Sequence, residues 1–291
     1  MADEEVTEKI KRSFDTLSHQ LRIAADYALS HPEEIALNSM RTAAAKAGVQ
    51  PSTMLRLARE LSFPGYGEFR QRFQNWLTGR GNPTLGSRAQ ALRDRGKRGA
   101  TSTLVDEMID ADVDNLKKTF ANIKPEDLKA ARDLIDKSRR VYIVGNRSLF
   151  PAAFCFHYTA SLLSDKFVLV SGLGGTAADE LRSATAKDVL IAFGYRPYTR
   201  ATIQAVRFAA RQQTPIVAVT DSVLSPLARD AAVTLPVANS SPFVFDSIVP
   251  AVELGQVLAG LIIAAQKADR LSEALARSEA QLKEFSVYAE E

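Results

Sequence analysis

The hydrophobic period of this chain changes near Leu128, and that change sets how many folds the chain must contain. From Leu128 onward, short β-branched runs alternate with helical segments: Val141 to Val144, Phe167 to Val170, Val189 to Phe193, Ile216 to Thr220 and Val233 to Val237. Apolar runs of this length, separated by room for a helix, suit strands buried on both faces and joined by helical crossovers. The expectation is an α/β domain with a five-stranded parallel sheet in an αβα sandwich. In such sheets ligands bind beyond the carboxyl ends of the strands.

Before Leu128 the period is helical throughout. Ile10 to Ser30 carries Phe14, Leu17, Leu21, Ala24, Ala25 and Ala28 on one stripe, and His31-Pro32 ends it. A second helix is predicted from Ser39 to about Ala47, with Ser39 as N-cap and Met40, Ala43, Ala44 and Ala47 inward; Gly48 stops it. A third starts at Gln50-Pro51-Ser52 and runs to about Leu61, with proline where its missing N–H does no harm. Ser62 to Tyr66 reads as a turn and Gly67 to Leu77 as a fourth helix. Thr78 to Arg98, rich in Gly, Pro and Arg, reads as a linker, and Ser102 to Ile123 as a long amphipathic helix that bridges domains or pairs with a second subunit. The expected organisation is an all-α domain at 1–77, linker and bridging helix at 78–127, the α/β domain at 128–270 and a helical tail at 271–291.

Composition removes several function classes. The longest apolar run, Leu254 to Ala265, is broken by Gly255, Gln256 and Gly260 and falls short of the ~20 residues of a membrane span. Met1 to Glu8 holds four acidic residues and no basic region before an apolar core, so no secretory signal is read and a cytoplasmic location is expected. One cysteine, Cys155, and three histidines, His19, His31 and His157, cannot form a Cys/His zinc cluster. No metal or cofactor is expected. Charge is uneven: residues 41–98 hold 12 basic against 3 acidic side chains, whereas residues 101–291 hold 21 against 23. A local excess of +9 attracts phosphate backbones, although a merely solvated basic face has the same charge.

The second helix, the turn Gly48-Val49-Gln50 and the third helix have the spacing of a helix-turn-helix, whose second helix enters the DNA major groove. Met54, Leu57, Ala58 and Leu61 would pack inward, leaving Gln50, Ser52, Thr53, Arg56 and Arg59 outward. Gln and Arg read base edges, while hydroxyls and a helix N-terminus suit phosphate oxygens. The competing reading is a small helical bundle capping the α/β domain.

Met40 to Phe73, with Ala-Ala-Lys-Ala-Gly-Val-Gln-Pro-Ser-Thr, Leu-Arg-Leu-Ala-Arg-Glu-Leu and Phe-Pro-Gly-Tyr-Gly-Glu-Phe, resembles the N-terminal domain of RpiR-type regulators. Leu61-Ser62-Phe63 stands where that family has Leu-Gly-Phe, and Gln50-Pro51 where Ser often caps the recognition helix. Residues from about Leu128 to Ala265 resemble the sugar-isomerase (SIS) domain of the same family, which holds phosphosugars on Ser/Thr-rich strand-end loops. The resemblance implies that Ser148 is the first-loop serine, beside Asn146 and Arg147, and that Thr199 is a third-loop hydroxyl beside Tyr198. There the chain departs from the family's Ser-x-Ser-Gly-x-Thr, with Arg196 and Arg200 in place of neutral hydroxyls, and a solvent-exposed turn capping the next helix is the competing reading of this cluster. Arg147 and Arg196 suit an anionic effector. Asp221, Ser222 and Ser225 match the fourth loop, with helix capping as the competing role.

Other features carry less. Ser171-Gly172-Leu173-Gly174-Gly175 lacks the spacing of a nucleotide loop. His157 lies in an apolar helical stretch and reads as a core or interface residue, and Glu253 lacks an assigned acid/base partner. The expectation is therefore a regulator and not an enzyme: a homodimer or homotetramer binding double-stranded DNA under control of a small, phosphorylated or otherwise anionic effector. The rivals are a sugar-phosphate isomerase with a helical appendage, and a ligand-binding or scaffolding protein that does not read DNA.

Overall fold

The computed structural model describes residues 6, 9–10, 12–78, 84–98 and 101–288. The first predicted helix is broken. A 3-10 turn, Phe14–Thr16, ends at an extended Leu17, and α1, His19–Ser30, starts after an extended Ser18. The Thr16 hydroxyl donates to the Ser13 carbonyl at 2.7 Å, the kind of local side-chain bond that competes with helix propagation. Proline at a first helical position also turns the predicted stop into a start, because α2 is Pro32–Leu37. Then come α3, Met40–Lys46, with the Thr42 N–H donating to Ser39 Oγ at 3.2 Å, α4, Pro51–Glu60, and α5, Tyr66–Thr78. Their apolar stripes close one core around Ile35, Met54, Leu57 and Phe69.

The segment read as a linker is largely helical. Residues Leu85–Arg98 form α6, begun by Thr84, whose hydroxyl accepts from the Ser87 N–H at 3.1 Å. Ala89, Ala91, Leu92 and the Arg and Gln side chains are good helix formers, which outweigh Gly86 and Gly96. Residues 79–83 of the predicted linker, and the last three of the predicted tail, lie outside the described residues. Two further helices, α7, Thr101–Asn122, and α8, Pro125–Lys137, lead to the sheet.

All five predicted strands form: β1, Val141–Gly145; β2, Phe167–Leu169; β3, Val189–Gly194; β4, Ile216–Thr220; β5, Val233–Pro236. They are parallel in the order β2-β1-β3-β4-β5. The crossovers are α9, Phe150–Ser161, α10, Ala177–Leu181, and α11, Arg200–Arg211; α12, Val249–Ala265, and α13, Ala268–Glu284, complete the described chain. Alternation along each strand fills two cores. Val141, Ile143, Ile191, Phe193 and Val219 pack with α8, α9 and α12, and Tyr142, Val144, Leu190, Ala192 and Ala218 with α11. Because β1 and β3 are neighbours and β2 lies outside β1, the chain leaves the sheet in opposite directions there. In open α/β sheets ligands bind at such a switch point, here beyond the carboxyl ends of β1 and β3.

Candidate DNA-binding and effector sites

In the helical domain Met54, Leu57, Ala58 and Leu61 are all buried, and Gln50, Ser52, Arg56 and Arg59 are exposed, with Thr53 half-buried. The outward set therefore shares one face of α4. Between α3 and α4 the chain turns at Gly48, whose φ of +69° is the left-handed conformation that glycine adopts without strain. The N–H of Val49 reaches the carbonyl of Ala44 at 3.0 Å, closing the turn.

At the switch point, glycines end both central strands for steric reasons. A Cβ on Gly145 would lie 2.7 Å from Ala153 Cβ and from the Leu149 carbonyl oxygen, and one on Gly194 would lie 2.7 Å from Leu227 Cδ2. Their absence lets the following segments pack onto the strand ends. Asn146 donates from Nδ2 to Thr202 Oγ1 at 2.9 Å, tying the β1 loop to the first turn of α11. Thr199, the N-cap of α11, shares a 2.7 Å hydroxyl contact with the same Thr202. Thr202 is 1% exposed and joins the two loops, yet sequence reasoning passed over it; the Thr199-x-x-Thr202 spacing at a helix start was its signal. Arg147 and Ser148 are exposed on a 3-10 turn, and Arg147 holds φ at +56°, an unfavourable left-handed conformation for a residue with a Cβ.

The third and fourth loops are bound to each other. Tyr198 donates its hydroxyl to Asp221 Oδ1 at 2.8 Å, the Arg196 N–H donates to Asp221 Oδ2 at 3.3 Å, and Arg196 Nε lies 3.9 Å from that oxygen. Burial raises the Asp221 carboxyl above its ordinary range, against the lowering influence of Tyr198 and Arg196. Burial and the adjacent Asp221 charge hold the Tyr198 phenol well above its usual value. Arg196 thus has an internal carboxylate beside it. Ser222 and Ser225 accept from the N–H groups of Leu224 and Ala228 at 3.1 and 3.2 Å, and Ser225 is buried. The glycine-rich loop after β2 closes on Glu180, which accepts from Ser171, Thr176 and the Gly172 N–H. His157 is partly buried and burial lowers its pKa. Among the described residues no group of His, Cys, Asp and Glu is arranged for a metal, and no helix is long and apolar enough to cross a membrane.

The fold and the two sites define a chain with a DNA-binding helix-turn-helix ahead of a sugar-isomerase-type α/β domain. Residues 4–78 match the helix-turn-helix domain of the rpiR family and residues 134–260 match the SIS domain, the domain pair of RpiR/MurR-type transcriptional regulators, to which this chain belongs. The chain is similar to an HTH-type transcriptional regulator of Thermotoga maritima, 22% identical over 79% of this chain and 80% of that protein. It is 26% identical to the bifunctional protein glk of Burkholderia mallei over 80% of its own length but spans 35% of that protein. Among solved structures, the sugar isomerase domain of an RpiR transcription factor from Sphaerobacter thermophilus superposes with a TM-score of 0.57 at 26% identity, over 61% of this chain and 98% of that one. The Vibrio vulnificus NanR protein complexed with ManNAc-6P superposes with a TM-score of 0.56 at 18% identity, over 98% of this chain and all of that one. The protein is a DNA-binding transcriptional regulator.

Proposed function

We propose that this regulator binds a two-fold operator in the cytoplasm as a homodimer or homotetramer, and that a sugar-phosphate-like anion on the strand-end loops controls that binding. The observation that carries the reading is the switch point, where Asn146, Thr199 and Thr202 meet, on a chain whose α4 presents Gln50, Ser52, Arg56 and Arg59 to solvent beside the half-buried Thr53. Exposed Arg147 and Ser148 and the start of α9 supply donors to a phosphate. Tyr198, Asp221 and Arg196 form the opposite wall, where Asp221 accepts from sugar hydroxyls, and Ser222 and Ser225 set that wall's loop. NanR in complex with ManNAc-6P supports the ligand class. Each chain contributes one recognition helix, so a two-fold operator needs two chains.

The test starts from duplexes selected out of a random pool by the full chain. Sugar phosphates, their unphosphorylated sugars and inorganic phosphate are then titrated into the selected complex while fluorescence anisotropy reports DNA release or tightening. A response to a sugar phosphate that the parent sugar does not produce is expected. Equal response to both would remove the anion from the reading, and failure to select any sequence would remove the operator.

A further inference from the structure

We propose that the loop 238–247 relays the state of the effector site to the DNA-binding domain, a reading that rests on the effector-controlled function proposed above. The loop begins where β5 ends. The Val237 N–H donates to the Thr220 carbonyl at 2.8 Å, so the chain leaves the sheet beside Asp221.

The far side of the loop is gripped by the two helices that lead from the DNA-binding domain to the sheet. On α7, Asn115 Nδ2 donates to the Ser240 carbonyl at 2.6 Å and its Oδ1 accepts from the Ser240 N–H at 3.1 Å. Thr119 Oγ1 accepts from the Ala238 N–H at 3.0 Å, and Asp112 accepts from the Ser247 hydroxyl. On α6, Arg88 pairs with Asp246 at 2.7 Å and donates to the Val244 carbonyl at 3.4 Å. Asn115 and Thr119 are buried, so their polar groups are committed to this loop and not to water. An amide matched at both ends to the N–H and the carbonyl of one residue fixes position more tightly than apolar contact does, since any slip leaves buried groups unpaired.

Tyr195, which follows β3, packs in the same core as Val237 at the start of the loop. It is buried, its hydroxyl has no hydrogen-bond partner among the described residues, and its ionisation is opposed by burial and by the charges of both Asp221 and Asp246. A change at the Asp221 wall therefore reaches the loop at the sheet edge, through the hydrogen bond of Val237 to the residue before Asp221. The loop must then move with α6 and α7 or break its bonds to them. Coupling is reciprocal, so DNA binding must also be felt by the loop.

That reciprocity gives a test requiring no effector. Amide hydrogen exchange is measured on the full chain with and without a selected duplex. In the wild type, exchange within 238–247 should change on the order of ten-fold on DNA binding, within the usual range of coupling. Arg88→Ala and Asn115→Ala, each checked by thermal unfolding and each still binding the duplex, should lose most of that change. Arg88 lies near the surface, so its variant keeps the question open to test if Asn115→Ala fails to fold. A second contact joins the domains, Arg229 to Glu34 at 3.4 Å, and Arg229→Ala should leave the loop's response intact. The proposal is overturned by an unresponsive loop in DNA-bound wild type, by a response that survives both variants, or by one lost only in Arg229→Ala. A chain that shifts no duplex in a gel overturns the DNA-binding reading itself, before any exchange is measured.

Discussion

Asp188 shows how much one side chain organises at the amino end of the central strand, away from the effector site. Its carboxylate is buried and accepts from Arg139 Nε and Nη2 at 3.0 and 2.8 Å, from the Arg140 N–H at 3.1 Å, and from the Thr185 N–H and hydroxyl at 2.9 Å. Burial pushes its pKa up, but these donors and the Arg139 charge outweigh burial and leave it below the ordinary carboxylate value. A lowered folded pKa means that the stabilisation is fully present above the unfolded value of 3.8 and is lost as pH falls through the lower folded value. Asp188→Ala should cost about 2–4 kcal/mol at neutral pH, from amide donors left unpaired, with the gap to wild type narrowing under acid. Thermal unfolding from neutral pH down to about pH 2 checks both, and a gap independent of pH would contradict the assignment. On the DNA side, Arg56→Ala combined with Thr53→Ala should weaken specific binding by roughly 2–4 kcal/mol, at about 1–2 for each contact. Unchanged affinity in the folded double variant would remove α4 as the reader.

At the scale of elements, apolar periodicity placed α4 and all five strands because tertiary packing agrees with local preference there. It failed where short polar side chains and proline decide. Thr16 interrupts a continuous apolar stripe, Pro32 opens α2 instead of closing the region, and Thr84 starts a helix in a segment whose Gly and Pro content suggested a linker. The turn between α3 and α4 rests on Gly48, where an added Cβ would meet nothing within 4 Å. Its requirement is conformational and not steric. Gly48→Ala should therefore destabilise the helical domain by about 1–2 kcal/mol, and Gly48→Asn by less, since Asn tolerates left-handed φ. Circular dichroism melts of the three proteins decide this, and equal losses in Ala and Asn would point to crowding that the geometry does not contain.

For the whole molecule, the +9 charge of residues 41–98 lies on the side of the chain that carries α4, and the α/β half is close to neutral. Operator affinity should fall steeply with salt, with a log-log slope of about −0.9 per phosphate neutralised. A flat salt dependence in anisotropy titrations would mean that the basic segment does not meet the DNA backbone. The sequence by itself determined the division into a helical and an α/β half, the strands, the outward set on α4 and the strand-end loops, because period, charge and turn chemistry are local properties. Only the tertiary structure decided the strand order, which puts Asn146 and Thr199 on one Thr202, turns Ser225 inward and sets Arg196 against Asp221. Asn115 likewise meets Ser240, and Arg88 meets Asp246, across 125 and more residues of chain, and no local pattern carries a contact of that range.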